Sequence, residues 1–291
     1  MTDVVRVVII PRMRNRSWQL RNKCWEIPKT GGIVGILNTT PDSFSDGGAH
    51  SSLPAALKHA ETLLAAGAHI IDIGGESTRP GATPIDTGTE ISRTIPLIKA
   101  LRARHPHALL SIDTRHADVA EAALEAGVDI INDISALTDP RMAALCAECP
   151  CGIILMHRLP FNADLPTPER MPQLLREFFT ERIHTLQQLG ITPERLCLDP
   201  GIGFGKKAAH TLEILRHQEE IRVADRPILM ALSRKRFIGE LLNNRAEPVP
   251  EALPTVVLSL LAADRGADMH RVHDVAELQT ALHLRAALFC G

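Results

Sequence analysis

Side chains that could bind or polarise a small ligand recur along the chain, each directly after a short apolar run. These positions are Asn38, Asp72, Asp113, Asn132 with Asp133, His157, Asp199, Ser233 with Lys235, and Arg271 with His273 and Asp274. One Asp or Asn after a strand is more often a helix N-cap than a catalyst, but the long succession argues for more than capping. Carboxylates, amides and cations gathered at one place suit a flat, heteroatom-rich ligand, and the cations suit phosphate or carboxylate. The predicted substrate is small and polar.

Three segments rich in turn-forming residues follow three of these runs. Segments 38–48 and 74–81 have the length and polarity of loops that close over an active site, although long connections without a function are the alternative. Segment 199–206 reads Asp-Pro-Gly-Ile-Gly-Phe-Gly-Lys and has neither Walker A nor G-x-G-x-x-G spacing. We interpret its glycines as allowing the backbone to approach a bound ring closely.

Cysteine and histidine give weaker signals. Cys146, Cys149 and Cys151 lie close together, but no second pair with metal-ligand spacing follows, which favours buried or incidental thiols over zinc. His157 could be a ligand, a base or a hydrogen-bonded residue at a strand end, and the sequence does not decide between these roles. Six cysteines in 291 residues are too few and too uneven for a disulfide-stapled secreted domain, so we expect a cytoplasmic protein.

The elements that must position these side chains alternate between short apolar runs and longer segments of helical period. The predicted strands are Ile33 to Leu37, His69 to Ile73, Leu109 to Ile112, Val128 to Ile131, Gly152 to Met156, Arg195 to Leu198, Pro227 to Leu232 and Met269 to Val272. Eight strands, each followed by a helix, predict an α/β protein with a single-domain (β/α)₈ TIM barrel over residues 31–291 and a short N-terminal arm or hairpin over residues 1–30. A doubly wound open sheet is the alternative, but it would gather its chemistry at one crevice instead of at every strand end.

Composition excludes several classes of protein. A net charge of −2, with 45% apolar and 23% charged residues, is unlike disordered chains and polycationic nucleic-acid binders. No apolar run approaches the length of a membrane span, so we expect neither export nor membrane insertion. The basic first 30 residues leave a transit peptide open as an alternative. Because the chain has no Tyr, a bound ring must stack on Phe, Arg, Met or His.

Taken together, the motifs resemble those of one family, the dihydropteroate synthases of folate biosynthesis. The resemblance covers about residues 33–288. It is carried by eight segments in order, namely 35–48, 72–81, Ser-Ile-Asp-Thr at 111–114, Ile-Asn-Asp-Ile at 131–134, Leu-Met-His at 155–157, 198–206, Ser-Arg-Lys at 233–235 and Arg-Val-His-Asp-Val at 271–275. One such motif would be ambiguous, but eight in this order are specific.

The resemblance implies a (β/α)₈ barrel that condenses 6-hydroxymethyl-7,8-dihydropterin pyrophosphate with 4-aminobenzoate, with sulfonamides as inhibitors. The residues that it implies for the pterin are Asp113, Asn132, Met156, Asp199, Phe204 and Lys235, with Arg271 stacking on the ring and facing the pyrophosphate. Ser233 is implied as a further substrate-binding residue. It further implies Mg²⁺ and pyrophosphate near Asn38, Arg271 and His273. Phe44, with Asp42 and Ser43, and Thr78, Arg79 and Pro80 are implied as parts of two loops that order over the substrates.

The same resemblance implies an SN1-like loss of pyrophosphate and a homodimer, with catalysis by Asn38, Asp113, Lys235, Arg271 and His273. The chain departs from the family at Ala231, where many members have Gly, at Arg236, where some have Ser, and after His157. Two alternatives remain, a pterin-binding protein without turnover and a methyltransferase that uses methyltetrahydrofolate. The intact loops and cations favour the synthase over both.

Overall fold

The computed structural model describes residues 16–21, 23–39, 48–76, 83–160, 164–242 and 251–289. In these ranges the strands are β1 (Arg16–Leu20), β2 (Lys23–Ile27), β3 (Gly32–Asn38), β4 (Ile70–Gly74), β5 (Leu109–Asp113), β6 (Ile130–Asp133), β7 (Gly152–Met156), β8 (Leu196–Asp199), β9 (Leu229–Met230) and β10 (Met269–Val272). The α-helices are α1 (Gly48–Ala65), α2 (Thr87–Arg104), α3 (Ala117–Ala126), α4 (Pro140–Glu148), α5 (Met171–Gln188), α6 (Ala208–Arg216), α7 (Arg236–Leu242), α8 (Ala252–Asp264) and α9 (Val275–Phe289). No helix in this part of the chain has both the length and the hydropathy to cross a bilayer.

The strands β3 to β10 form one parallel sheet that curls into a barrel. Its order is β8-β7-β6-β5-β4-β3-β10-β9, and a parallel bridge between Leu198 and Ile228 brings the two ends of this order together. Each strand is followed by a helix along the chain. The predicted (β/α)₈ barrel is therefore confirmed, and all eight predicted strands are present. The β9 strand pairs with β10 over only two residues, and on the other side Ile228 makes a single bridge to β8.

The barrel is apolar at its amino-terminal end and polar at its carboxyl end. One buried cluster fills the interior with residues from the early part of the strands, including Val34, Ile70, Ile130 and Met269. A second, larger cluster lies between the strands and the surrounding helices. Burial on both faces explains why these strands are almost continuously apolar in sequence. Polar side chains that can form a site, including Asp113, Asn132 and Asp199, lie at the later strand positions.

The antiparallel hairpin of β1 and β2 covers the amino-terminal end of the barrel. Trp18 is fully buried in the interior cluster, and its Nε1 donates a hydrogen bond to the Arg195 carbonyl oxygen at 2.7 Å. A Cβ on Gly152 would overlap the Leu20 side chain, so this glycine makes room for the hairpin. The hairpin lies in the segment predicted as an arm or hairpin, although the domain boundary at residue 30 stays a prediction.

The first turn of α2 is fixed by its cap. Asp86 accepts a hydrogen bond from Thr89 N at 2.9 Å, which satisfies one of the unpaired amides at the helix start. Because α2 begins at this cap, Glu90 and Thr94 lie on the buried face of the helix beside Gly75. A glutamate is therefore placed beneath the carboxyl end of β4.

We expect Trp18→Ala to lower the free energy of unfolding by about 3–5 kcal/mol, because it removes a large buried side chain and leaves a cavity. Urea unfolding followed by circular dichroism measures this loss. Trp25, which pairs with Trp18 across the hairpin, is only half-buried, and Trp25→Ala should be clearly milder. Equal losses for the two variants would contradict the role assigned to Trp18.

Candidate active site at the carboxyl end of the barrel

An arginine held by two carboxylates forms the centre of the site. Arg271 Nε donates to Asp72 Oδ2 at 2.6 Å, and Arg271 Nη2 donates to Asp113 Oδ2 at 2.6 Å. Asn132 Nδ2 also donates to Asp72 Oδ2, at 3.0 Å. Side chains from β10, β4, β5 and β6 therefore meet in one buried network.

The charges in this network support one another. Burial opposes the charge on Arg271, but Asp72 and Asp113 outweigh it and raise the pKa of the guanidinium, which stays cationic. Burial raises the pKa of Asp113, and Arg271 opposes that shift. Asp72 Oδ1 and Asp113 Oδ1 are both buried without a hydrogen-bond partner. Unpaired buried acceptors are costly, so these two atoms are suited to N–H donors of a ligand.

Asp199 adds a further carboxylate at the end of β8. Its Oδ1 accepts a hydrogen bond from Gly201 N at 2.7 Å, and the residue is buried. Burial raises the pKa of Asp199, although the Gly201 amide and Lys235 lower it. The amide fixes one oxygen of the carboxylate and thereby sets its orientation in the site.

Lys235 and Phe204 lie in contact after the carboxyl ends of β9 and β8. The Lys235 Nζ lies 4.8 Å from the centroid of the Phe204 ring, within the range of a cation–π contact. Burial lowers the pKa of Lys235 to about 8, and Asp199 counteracts this shift. A weakly basic ammonium next to a ring and a carboxylate can donate to a heteroaromatic edge.

Lys206 holds the segment that carries Asp199 and Phe204. Its buried Nζ donates to the carbonyl oxygens of His157 at 3.1 Å and Gly201 at 3.0 Å. Gly201 has φ of +67°, and a Cβ there would overlap the His157 carbonyl oxygen. Close approach to the chain's own backbone is thus one requirement for this glycine, beside the predicted approach to a ligand. Lys206 ends segment 199–206 but is not among the site residues that the sequence predicts.

His157 takes part in the site through its backbone carbonyl group and through the packing of its ring. Burial lowers the pKa of its imidazole to about 3, so the ring is neutral at physiological pH. The ring makes an edge contact with Phe178 at a centroid distance of 4.8 Å. Its carbonyl oxygen is the acceptor for Lys206. These contacts favour a packing role over that of a general base.

Asn38, Ser233 and His273 lie at neighbouring strand ends. Ser233 Oγ and His273 Nδ1 are 3.0 Å apart, and the His273 amide also donates to Ser233 Oγ at 3.2 Å. A Cβ on Gly74 would lie 3.6 Å from Asn38 Oδ1 and 3.7 Å from Asp113 Cβ. Glycine at this position therefore keeps a space open between the Asn38 amide and Asp113.

The structure places most of the predicted site residues at one end of the barrel. Those at or after the carboxyl ends of strands are Asn38, Asp113, Asn132, Met156, Asp199, Phe204, Ser233, Lys235, Arg271 and His273. The predicted residues Phe44, Thr78, Arg79 and Pro80, together with Asp42 and Ser43, lie outside the described residues. Asp72 is one of the polar residues that the sequence places at a strand end, but it is not among the predicted ligand-binding residues. The sequence signal for it was a carboxylate inside an otherwise apolar strand.

Fold and site together define a (β/α)₈-barrel protein with a buried set of carboxylates, an amide and cations for a flat heteroaromatic ligand. The family model described as "Pterin binding enzyme" matches residues 34–273, and the chain belongs to this family.

Curated relatives and solved structures agree with that membership. The dihydropteroate synthase of Synechocystis sp. (strain ATCC 27184 / PCC 6803 / Kazusa) is 42% identical over 264 residues, which cover 88% of this chain and 90% of the relative. That of Escherichia coli (strain K12) is 39% identical, covering 87% and 89%. The Xanthomonas albilineans dihydropteroate synthase solved with 4-aminobenzoic acid superposes with a TM-score of 0.86 at 39% identity, covering 94% and 98%. The predicted resemblance to dihydropteroate synthases is confirmed, and the activity is that of a transferase.

We expect Lys235→Met to raise the free energy of unfolding of the ligand-free protein by about 1–2 kcal/mol at pH 7, because it removes a half-buried charge that is costly to desolvate. With a folded pKa of about 8 and an ordinary value of 10.5, the unfolded chain binds more protons between these pH values. Stability of the parent protein should therefore rise with pH in that window, and the variant should lack this rise. Urea unfolding at several pH values tests both. Lys99→Met, at an exposed position, is the control, and a loss of stability in Lys235→Met would contradict the prediction.

Proposed function

We propose that the chain condenses 6-hydroxymethyl-7,8-dihydropterin pyrophosphate with 4-aminobenzoate, giving 7,8-dihydropteroate and pyrophosphate. The observation that carries this proposal is the buried Arg271 between Asp72 and Asp113, with one oxygen of each carboxylate left unpaired. The match to pterin binding enzymes over residues 34–273 supports the choice of a pterin. The site can bind both an N–H-rich ring and an anion, as this substrate requires.

The pterin edge would be bound by groups around the network. Asp113 and Asp199 offer carboxylate oxygens to ring and exocyclic N–H groups, and Asn132 can turn a donor or an acceptor to the ring. Lys235 would donate to a ring acceptor, with Phe204 beside it. Removing one such buried partner typically costs about 1–3 kcal/mol of binding. The role given to each of these residues is part of the proposal.

Loss of pyrophosphate would be assisted by Arg271 and His273. In an SN1-like reaction the bond between the pterin methylene carbon and the pyrophosphate oxygen breaks, and its electron pair leaves with pyrophosphate. The electron-rich pterin stabilises the carbocation. The arylamine nitrogen then forms the new bond to carbon and loses a proton. Positioned cations that meet the charge developing on the leaving group account for most of the catalysis in this scheme.

The donor set fits a hard cation such as Mg²⁺ beside the leaving group. Magnesium prefers oxygen ligands and is often held by one or two protein oxygens together with substrate phosphates. Asn38 offers an amide oxygen next to the space that Gly74 leaves open, and Asp113 Oδ1 is an unpaired oxygen close by. Asn38 would hold the ion, which would supply charge neutralisation for pyrophosphate.

The two alternatives are less well supported. Relatives at about 40% identity over most of the chain are synthases, which does not favour a methyltransferase. A binding protein without turnover would not require the cation at Arg271 to be held by two carboxylates. Neither alternative explains the site better than the synthase does.

The decisive experiment is product formation by the purified protein. We expect 7,8-dihydropteroate only when dihydropterin pyrophosphate, 4-aminobenzoate and Mg²⁺ are all present. Sulfonamides should compete with 4-aminobenzoate, since the Yersinia pestis synthase was solved in complex with a sulfonamide drug. Arg271→Ala should reduce turnover by about a thousandfold, the range for loss of a transition-state partner. Pterin binding without product in the unaltered protein would instead establish the binding-protein alternative.

We further propose a homodimer formed through α8 and α9. Leu253, Val257 and Leu261 recur every fourth residue of α8 and are 50%, 45% and 46% exposed. Leu284 and Leu288 of α9 are 64% and 78% exposed. The two helices pack against each other. An exposed apolar patch of this kind is typical of an interface, and a second copy of the chain closes it by two-fold symmetry.

We expect the double variant Val257→Glu with Leu261→Glu to convert a dimer into a monomer, because it places charges in the centre of this patch. Sedimentation equilibrium measures the mass directly. Leu189→Glu adds a charge at a similarly exposed leucine elsewhere and should leave the dimer intact. A monomeric parent protein would contradict the proposal.

A cytoplasmic location is the last part of the proposal. Cys24, Cys146, Cys149, Cys151 and Cys197 are all free thiols in the structure, which suits a reducing compartment. Thiol labelling in intact cells before lysis tests this, and a disulfide between any of these cysteines would contradict it.

A further inference from the structure

Three potential metal ligands meet beside the active site without a role in the proposed reaction. Glu76 follows β4, Glu90 lies in α2, and His116 is the last residue before α3. One ligand atom from each lies within 4.8 Å of the other two. Three separate elements therefore bring two carboxylates and an imidazole to one point.

The polar atoms of this cluster are poorly satisfied. Glu90 is fully buried, and neither of its carboxylate oxygens has a hydrogen-bond partner. His116 Nε2 is also buried without a hydrogen bond, and it lies 3.7 Å from Glu76 Oε2. The Thr114 hydroxyl favours the ionised form of Glu90 from nearby but does not reach hydrogen-bonding geometry. A buried carboxylate in this state is costly unless a cation compensates it.

Neighbouring guanidinium groups act on Glu90 only from a distance, because Arg115 and Arg93 favour its charged form without a hydrogen bond to it. Arg115 approaches Glu76 through Nε and Nη2, both at 3.3 Å, and leaves Glu90 without a contact. Arg93 donates to the Gly75 carbonyl oxygen at 3.2 Å. Both Glu90 oxygens therefore remain without a partner in the described part of the chain. A cation bound between Glu76, Glu90 and His116 would satisfy them.

We propose that Glu76, Glu90 and His116 bind a divalent transition-metal ion, for which Zn²⁺ is the best fit. Two carboxylates with one imidazole are a ligand set that zinc accepts, whereas magnesium avoids nitrogen. Ligand atoms around tetrahedral zinc are about 3.4 Å apart, so the side chains must close by roughly 1 Å. Water would complete the coordination.

The position of the site suggests what binding does. The ion would join the end of β4, the first turns of α2 and the turn after β5. Binding would therefore cross-link three elements at the mouth of the barrel through Glu76, Glu90 and His116.

The test is zinc binding by metal-stripped, full-length protein, measured by calorimetry with a non-thiol reductant and without pterin or Mg²⁺. We expect saturable binding of one ion, weakened at least about tenfold by Glu90→Gln and by His116→Gln. The absence of substrates makes this result independent of the proposed synthase activity.

His105→Gln is the matched control, because His105 lies 3.4 Å from Glu61 in a more exposed histidine–glutamate pair. It should leave zinc affinity unchanged. Circular dichroism verifies the folding of each variant. If Glu90→Gln does not fold, the test rests on His116→Gln, because His116 is partly exposed and its replacement is less disruptive. Unchanged affinity in His116→Gln, or no saturable binding by the parent protein, would overturn the proposal. Replacing zinc with Co²⁺ gives a further test. A cobalt–thiolate absorption band would also overturn the proposal, since it would show that cysteines bind the ion.

Discussion

The active site is organised around one cation, Arg271, which two carboxylates keep inside the barrel. Arg271 would be strongly destabilising alone, as would Asp72 or Asp113, because each loses its hydration. Together they stabilise one another's charges across β10, β4 and β5 at distances of 2.6 Å. Buried ion pairs are weak contributors to net stability, so this network is better explained by function. It keeps a guanidinium charged and oriented while two carboxylate oxygens remain open to a ligand.

Strand alternation explains why such a network coexists with an apolar core. On β4, Ile70 belongs to the interior cluster, and Asp72 two residues later binds Arg271. On β10, Met269 belongs to the same cluster, and Arg271 again follows two residues later. The same face of each strand is therefore apolar near the hairpin and charged near the mouth. Trp18 and its hairpin seal the apolar end, and the polar end stays available for chemistry.

Sequence patterns predicted what is local and missed what is long-range. The strands follow from short apolar runs, and the strand-end polar residues follow from their positions, so the barrel and most of the site were foreseeable. The pairing of Arg271 with Asp72 joins residues 199 positions apart, and no local pattern indicates it. The structural role of Lys206 could not be predicted for the same reason, because its hydrogen-bond acceptors are backbone carbonyls that come near it only in the folded chain. The resemblance to a family supplied roles that spacing alone left open.

Unsatisfied polar groups near the barrel mouth divide into two kinds. Asp72 Oδ1 and Asp113 Oδ1 each belong to a carboxylate whose other oxygen is paired with Arg271, so the cost of leaving them open is limited and a substrate can remove it. Glu90 has neither oxygen paired and no guanidinium in contact, so substrate recognition does not account for it. A preorganised catalytic site requires the first kind. The second kind requires either a retained proton or a bound cation, and the nearby Glu76 and His116 make a metal ion the arrangement that satisfies all three side chains at once.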